Sequence, residues 1–246
     1  MGDVIYYILS ILAVLIALAV HEYSHGYAAY KMGDNTAKSL GRLTLNPIKH
    51  IDPIGALCMV FFHVGWAKPV PVNPRNFKNY KRGFAITALA GPVSNIALAF
   101  ITAPIYILLF KLFLSTNGDT EFIYKLLENT LTFVAIFFSI NIGLGIFNLL
   151  PIPPFDGSRI LNVILPAKIY FGVMKYERQI YFGVLGWLIL GDAVKAGLLS
   201  VPFIAANPVL SFIAGIFSLS DLLGYAISAI SGLILDLWGL IPLFRI

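Results

Sequence analysis

The residues of this chain whose types and spacing suggest chemistry begin with His21-Glu22-Tyr23-Ser24-His25, which fits the pattern H-E-x-x-H. On a helix, His21 and His25 lie one turn apart on the same face, so their two imidazoles can bind one zinc ion. Glu22 lies beside them and can act on a water molecule held by the metal. The motif therefore predicts a zinc site in which Glu22 is the general base.

A catalytic zinc site needs a third protein ligand and an open position for water. Asp156 is the favoured candidate, because it follows a proline-rich break in an apolar helix, and irregular backbone at membrane depth is tolerated where it lines a cavity. The alternative is that Asp156 is the N-cap of the next helix and accepts backbone N–H bonds. His50 and His63 are the remaining candidates, and an interfacial or structural role is the simpler interpretation of both.

The motif lies at the end of a long apolar run in a chain that is 59% hydrophobic and 12% charged. Such a composition excludes a soluble domain and indicates a membrane protein. No Lys or Arg precedes the first run, Val4 to Val20, so we interpret it as a retained helix and not as a signal peptide. Histidine and glutamate are costly inside a membrane helix, so their presence there favours a functional site.

The apolar runs predict a polytopic α-helical membrane protein with about five transmembrane helices, four or six being the alternatives. Residues 39–74 are too interrupted by glycine and proline to span, so we expect a re-entrant, β-hairpin-like segment after the first helix. We interpret residues 1–246 as one membrane-embedded domain, with a core over about 1–165 and C-terminal helices over about 178–246. The expected spans are residues 4–31, 84–114, 130–150, 180–199 and 222–244.

Basic residues are concentrated on one side of these helices. Nine lie between Lys31 and Arg82 and four between Arg159 and Arg178. The positive-inside rule then predicts an N-terminus outside and an active site nearer the cytoplasmic face. Nucleic-acid binding is not expected, because no basic run stands free of the apolar segments. Cys58 is the single cysteine, which excludes an internal disulfide and a multi-cysteine metal site.

Three segments, in order along the chain, resemble the motifs of the site-2 protease family of intramembrane metalloproteases. They are residues 21–25, Ala90-Gly91-Pro92-Val93-Ser94-Asn95, and residues 148–157. The stretch from Gly65 to Pro74 is also similar to the compact bacterial branch that lacks PDZ and CBS domains.

This resemblance implies that His21, His25 and Asp156 bind Zn²⁺, that Glu22 is the base, and that Asn95 helps to bind the substrate or the oxyanion. It implies an integral protein of the bacterial plasma membrane that hydrolyses peptide bonds in or near transmembrane segments of membrane-anchored proteins. We expect the segment 39–74 to hold an extended substrate by offering it an edge strand. The alternative is that Pro69, Pro71 and Pro74 form a rigid structural connector.

Two other functions fit parts of the pattern. A metal-ion transporter would use intramembrane histidine and aspartate, but it gives no reason for Glu22, and the sequence has no inverted repeat. A catalytically silent membrane scaffold would not need the full set of proposed catalytic residues, all of which are present.

Overall fold

The computed structural model describes residues 3–55, 67–116, 120–207, 209–211, 215 and 218–245. Its helices are α1 (Asp3–Met32), α2 (Thr36–Ser39), α3 (Tyr80–Ser115), α4 (Glu121–Leu149), α5 (Asp156–Ile164), α6 (Ala167–Met174), α7 (Glu177–Leu199), α8 (Pro202–Ala206) and α9 (Leu219–Gly239). Short 3₁₀ helices cover Pro47–His50, Pro74–Asn76 and Pro242–Phe244.

Five of these helices, α1, α3, α4, α7 and α9, are long and apolar enough to cross a membrane. The prediction of a helical membrane protein is thereby confirmed. α4 begins at Glu121 and not near Thr130, so residues that looked like a polar loop continue the helix. An acidic residue in a first helical turn interacts favourably with the helix dipole, which suits Glu121 to this position.

The helices α1, α3 and α4 pack closely against one another and form the centre of the fold. Ala99 and Ala103 of α3 are fully buried, and Phe138 and Ile142 of α4 pack in the same cluster. Small side chains let membrane helices approach closely. α1 runs antiparallel to α3, because Ala17 contacts Asn95 whereas the later His25 contacts the earlier Thr87.

The last long helix, α9, runs parallel to α3. The indole of Trp238 donates to the carbonyl of Phe100 (2.9 Å). Further along α3, Lys111 donates to the carbonyl of Leu243 (2.8 Å), which follows the end of α9. Ile234 joins the buried cluster of Ala99 and Ala103. The beginning of α1 and the end of α9 therefore lie at the same end of the bundle.

Two ion pairs connect α7 to the neighbouring helices α5 and α9. The first residue of α7, Glu177, pairs with Arg159 of α5, and its later residue Lys195 pairs with Asp221 in the first turn of α9. The C-terminal part of α7 therefore lies beside the beginning of α9.

The expected β-hairpin over residues 39–74 is not supported by the described part of that segment. The described residues contain no strand there, and a single isolated antiparallel bridge joins Ile51 to Ala67. Residues 56–66, which include His63, lie outside the described residues. The physical reason is the proline content, since Pro47, Pro69 and Pro71 have no N–H to donate to a strand ladder.

Candidate metal centre

Three potential ligand atoms converge between α1 and the start of α5. The Nε2 atoms of His21 and His25 lie 3.0 Å apart, one helical turn from each other on α1. The Oδ2 atom of Asp156 lies 3.1 Å from the first of these nitrogens and 3.0 Å from the second. The two histidines and the aspartate predicted from the sequence are thus brought together by the fold.

The break after α4 carries Asp156 to this place. α4 ends at Leu149, and α5 begins at Asp156 with Phe155 as its N-cap residue. Gly157 is required for the close approach, because a Cβ there would collide with the carbonyl oxygens of Leu149 and Leu150. Asp156 therefore lies in the first turn and is not the N-cap, and its carboxylate is directed at the two imidazoles.

Hydrogen bonds on the far side of each ring fix the direction of both imidazoles. Nδ1 of His25 donates to the carbonyl of Thr87 (2.7 Å), so this ring carries its proton on Nδ1 and presents Nε2 to the cluster. Nδ1 of His21 donates to Oδ1 of Asn95 (2.6 Å) with the same result. Ligating histidines usually have such a partner, which selects the tautomer and orients the ring.

Asn95 is placed differently from what substrate binding would require. The residue is 0% exposed, and its amide group donates to the carbonyl of Ala17 (3.3 Å) and to Oδ1 of Asn141 (2.8 Å). With its oxygen bound to His21, the side chain has no group left for an oxyanion. In this geometry Asn95 positions a histidine, and the sequence alone could not distinguish this role from contact with substrate.

Gly91 makes room for the cluster on the side of α3. A Cβ at this position would collide with Nε2 of His25 and would lie 2.6 Å from Nε2 of His21. The glycine in the second motif therefore permits the backbone of α3 to lie directly against the two imidazoles.

Glu22 is oriented by the chain segment after residue 67. Its Oε2 atom accepts a hydrogen bond from the backbone N–H of Val70 (2.7 Å). Glu22 does not belong to the group of three convergent ligand atoms, but it lines the same cavity as they do. A carboxylate beside the ligands but not among them suits a general base.

The segment that carries Val70 is itself anchored to the end of α1 by a buried carboxylate. Asp34 is 0% exposed and accepts hydrogen bonds from the backbone N–H groups of Thr36 and Asn73 and from the side-chain amide of Asn76. Burial opposes ionisation of Asp34, but the hydrogen bonds from Thr36, Asn73 and Asn76 lower its pKa below the usual value.

The donor set fits a zinc ion. Two imidazole nitrogens and one carboxylate oxygen are ligands that zinc prefers, and three protein ligands leave the fourth position open. Burial by itself raises the pKa of Asp156, but the hydrogen bonds and charges of His21 and His25 lower it to about 2.

The other histidine candidate in the described residues, His50, does not join this group. It is 2% exposed, and its Nε2 atom donates to the carbonyl of Thr44 (2.8 Å). The position of His63 lies outside the described residues.

A cavity of about 1100 Å³ opens beside the cluster. α1 and α4 form one wall, and Val184, Leu188 and Ile227 of α7 and α9 form the other. Asn148, which the sequence analysis did not single out, also lines this cavity. The buried Asn141 was missed as well, although a fully buried amide in a membrane helix is itself a signal of function.

Comparisons with known proteins identify the family and relatives of this chain. The profile of "Peptidase family M50" matches residues 9–184. "Putative zinc metalloprotease YwhC" of Bacillus subtilis (strain 168) is 38% identical over 195 residues, which cover 77% of this chain and 85% of that protein. "Putative zinc metalloprotease Rip2" of Mycobacterium tuberculosis (strain ATCC 35801 / TMC 107 / Erdman) is 28% identical over 196 residues, 71% of this chain and 70% of the relative. No solved structure matches.

Proposed function

The chain belongs to peptidase family M50, the site-2 protease family, and from this premise we propose that His21, His25 and Asp156 hold its zinc ion and that Glu22 is its general base. The protein is a zinc-dependent intramembrane metalloprotease. The observation that carries the residue assignment is the convergence of three ligand atoms, 3.0–3.1 Å apart, beside Glu22.

Bound at this site, zinc would polarise the scissile carbonyl and lower the pKa of a coordinated water. Glu22 would accept a proton from the attacking water as its oxygen bonds to the scissile carbonyl carbon. It would then pass that proton to the amine nitrogen as the C–N bond breaks. The N–H of Val70 holds the Glu22 carboxylate in place. Asn95 and the carbonyl of Thr87 keep the two imidazoles directed at the metal throughout.

The substrates are peptides, and we propose that they are segments of membrane-anchored proteins. A helical substrate hides its peptide bonds, so it has to unwind locally before hydrolysis. The cavity of about 1100 Å³ has room for an extended segment of such a chain. Its walls are largely apolar, as contact with a transmembrane segment would require.

We further propose that residues 1–246 act as one peptidase domain in a bacterial plasma membrane, with the N-terminus outside. The packing of α9 against α3 and α4 supports a single domain, since the C-terminal helices share the buried cluster of the core. The exposed basic residues between Lys31 and Arg82 support a cytoplasmic position for that side. A transporter is not favoured, because Glu22 is oriented for chemistry and not for ligation.

The deciding experiment is Glu22→Gln in the purified protein. Because Glu22 is not a ligand, zinc content should stay equal to that of the wild type, whereas cleavage of a membrane-anchored test substrate should fall by roughly 10²–10⁴-fold or more. Zinc is measured by elemental analysis and cleavage by gel. Loss of zinc, or turnover close to normal, would remove the assignment of Glu22 as the base.

A further inference from the structure

Three exposed basic residues are chain neighbours of residues that line the cavity containing the metal cluster: Lys49, Lys68 and Arg75. Each is next in the chain to a residue that lines the cavity, respectively His50, Pro69 and Pro74. The three come from the two chain segments that flank residues 56–66. We call Lys49, Lys68 and Arg75 the basic rim.

The charge of the basic rim is not neutralised within the described part of the protein. Outside the metal cluster, the ion pairs there are Lys125–Glu121, Arg159–Glu177 and Lys195–Asp221, and none includes a rim residue. Between residues 31 and 82 the sequence has two acidic residues, Asp34 and Asp52. Asp34 is 0% exposed, and one oxygen of Asp52 accepts bonds from two backbone N–H groups.

The rim is also close to the reacting groups along the chain. Lys68 precedes by two residues the Val70 whose N–H binds Glu22. Two residues of extended chain cover roughly 7 Å. A peptide that leaves the site along this segment therefore passes within reach of the Lys68 ammonium group.

We propose that the preferred substrates carry acidic side chains on the segment that leaves the cavity across the basic rim. The inference rests on the proposed function and adds a substrate class to it. Complementary charges at such a rim raise the rate of productive encounter and fix the direction in which the peptide lies. The basic rim would attract acidic side chains of the substrate and repel basic ones.

Anionic lipid headgroups are the other chemistry that such a surface could attract. A substrate peptide fits the observations better, because each rim residue is next in the chain to a residue that lines the same cavity as Glu22. Arg159, which lines the same cavity, has Glu177 as its ion-pair partner, so its charge is neutralised.

The test compares three membrane-anchored substrates that differ in one way. The residues next to the apolar segment on its cytoplasmic side are Glu, Gln or Lys, and kcat/KM is measured for each. The enzymes are the wild type, Lys68→Glu, the triple reversal Lys49→Glu/Lys68→Glu/Arg75→Glu, and Lys168→Glu. Lys168 is the matched control, because it is an exposed lysine on α6 that does not line the cavity.

The wild type should prefer the Glu substrate to the Lys substrate, by about two- to fivefold for each charge pair. Lys68→Glu should reduce this preference, the triple reversal should invert it, and Lys168→Glu should leave it unchanged. Higher salt should shrink the preference, since the screening length falls from about 8 Å at 0.15 M to about 3 Å at 1 M. Equal cleavage of all three substrates by the wild type would overturn the proposal.

Two further measurements separate the alternatives. The enzymes are assayed in phosphatidylcholine vesicles with and without phosphatidylglycerol. If the rim variants lose activity equally on all substrates, and only with the anionic lipid, the rim binds lipid and the proposal is wrong. If the wild type cleaves nothing, the proposed function fails, and binding of the three substrates to zinc-loaded Glu22→Gln still tests the charge preference.

Discussion

At the scale of single residues, two buried asparagines form a hydrogen-bonded chain that ends at the metal cluster. The amide of Asn141 donates to the carbonyl of Phe137 (2.8 Å) and its oxygen accepts from Asn95, which in turn accepts from His21. An unpaired polar group would cost several kcal/mol inside a bilayer. The network removes this cost and at the same time fixes the direction of a ligand.

The role of Asn95 can be tested by its removal. Asn95→Ala leaves Nδ1 of His21 and Oδ1 of Asn141 without their partner, so we expect zinc affinity to fall by about 10–100-fold, as for other groups that orient a ligand. The measurement is zinc competition against a chelator of known affinity. Normal zinc affinity combined with a low kcat would instead support the oxyanion role that the family resemblance implies.

The substitution Asp156→Asn tests whether the carboxylate of Asp156 is a zinc ligand. Asp156→Asn keeps the shape of the side chain but removes the negative charge, so we expect loss of zinc and of activity in a protein that still inserts and folds. Asp52→Asn is the matched control, because this carboxylate lines the same cavity but contacts backbone N–H groups. Full zinc content in Asp156→Asn would return the residue to a structural role.

At the scale of the elements, the site depends on how close α3 comes to α1. Gly91 and Gly157 each occupy a position where a Cβ would meet an imidazole or a backbone carbonyl. The segment after Ala67 is held in turn by Asp34, which joins the end of α1 to Asn73 and Asn76. α1 and α5 thus carry the three ligand residues, and the anchored segment after Ala67 supplies the N–H that binds Glu22.

Gly91→Ala tests the approach of α3. The added methyl group would displace His21 and His25 from their common position, so we expect zinc binding and cleavage to be lost while the helical content stays the same. Gly186→Ala on α7 is the control, because a Cβ there meets nothing within 4 Å and alanine favours a helix by up to about 1 kcal/mol. Zinc binding and helical content, the latter by circular dichroism, are measured for both variants. Normal zinc binding by Gly91→Ala would contradict the prediction.

At the scale of the whole molecule, the directions of α1, α3 and α9 place both ends of the described chain at the same end of the bundle. The metal cluster and the basic residues between Lys31 and Arg82 lie toward the other end, where α4 ends and α5 begins. A membrane around this bundle would give the two ends of the protein opposite electrostatic character. The basic end is expected in the cytoplasm.

Cysteine labelling in a Cys58→Ser background tests this arrangement. Arg75→Cys should be protected from an impermeant reagent added outside, whereas Glu121→Cys should react with it, as should a cysteine placed after Arg245. Cys58→Ser without an added cysteine gives the background. Labelling of Arg75→Cys but not of Glu121→Cys would reverse the orientation, and a protected Arg245 end would contradict the parallel course of α9.

The sequence by itself determined that the chain carries a zinc-binding motif and that it lies in a membrane. The spacing of His21 and His25 is a local property of a helix, and the apolar runs follow from the bilayer thickness, so both can be recognised without long-range contacts. The carboxylate of Asp156 could be proposed but not separated from an N-cap, because its partner lies 135 residues away in the chain.

Only the tertiary structure decided which groups orient the site. The bond between Asn95 and His21, the N–H of Val70 on Glu22 and the parallel course of α9 all join residues that are far apart in the chain. No local periodicity encodes such contacts, because they depend on how the helices pack and on which buried polar groups find partners. The expected hairpin was not supported for a local reason, since strand pairing depends on N–H groups that its prolines lack.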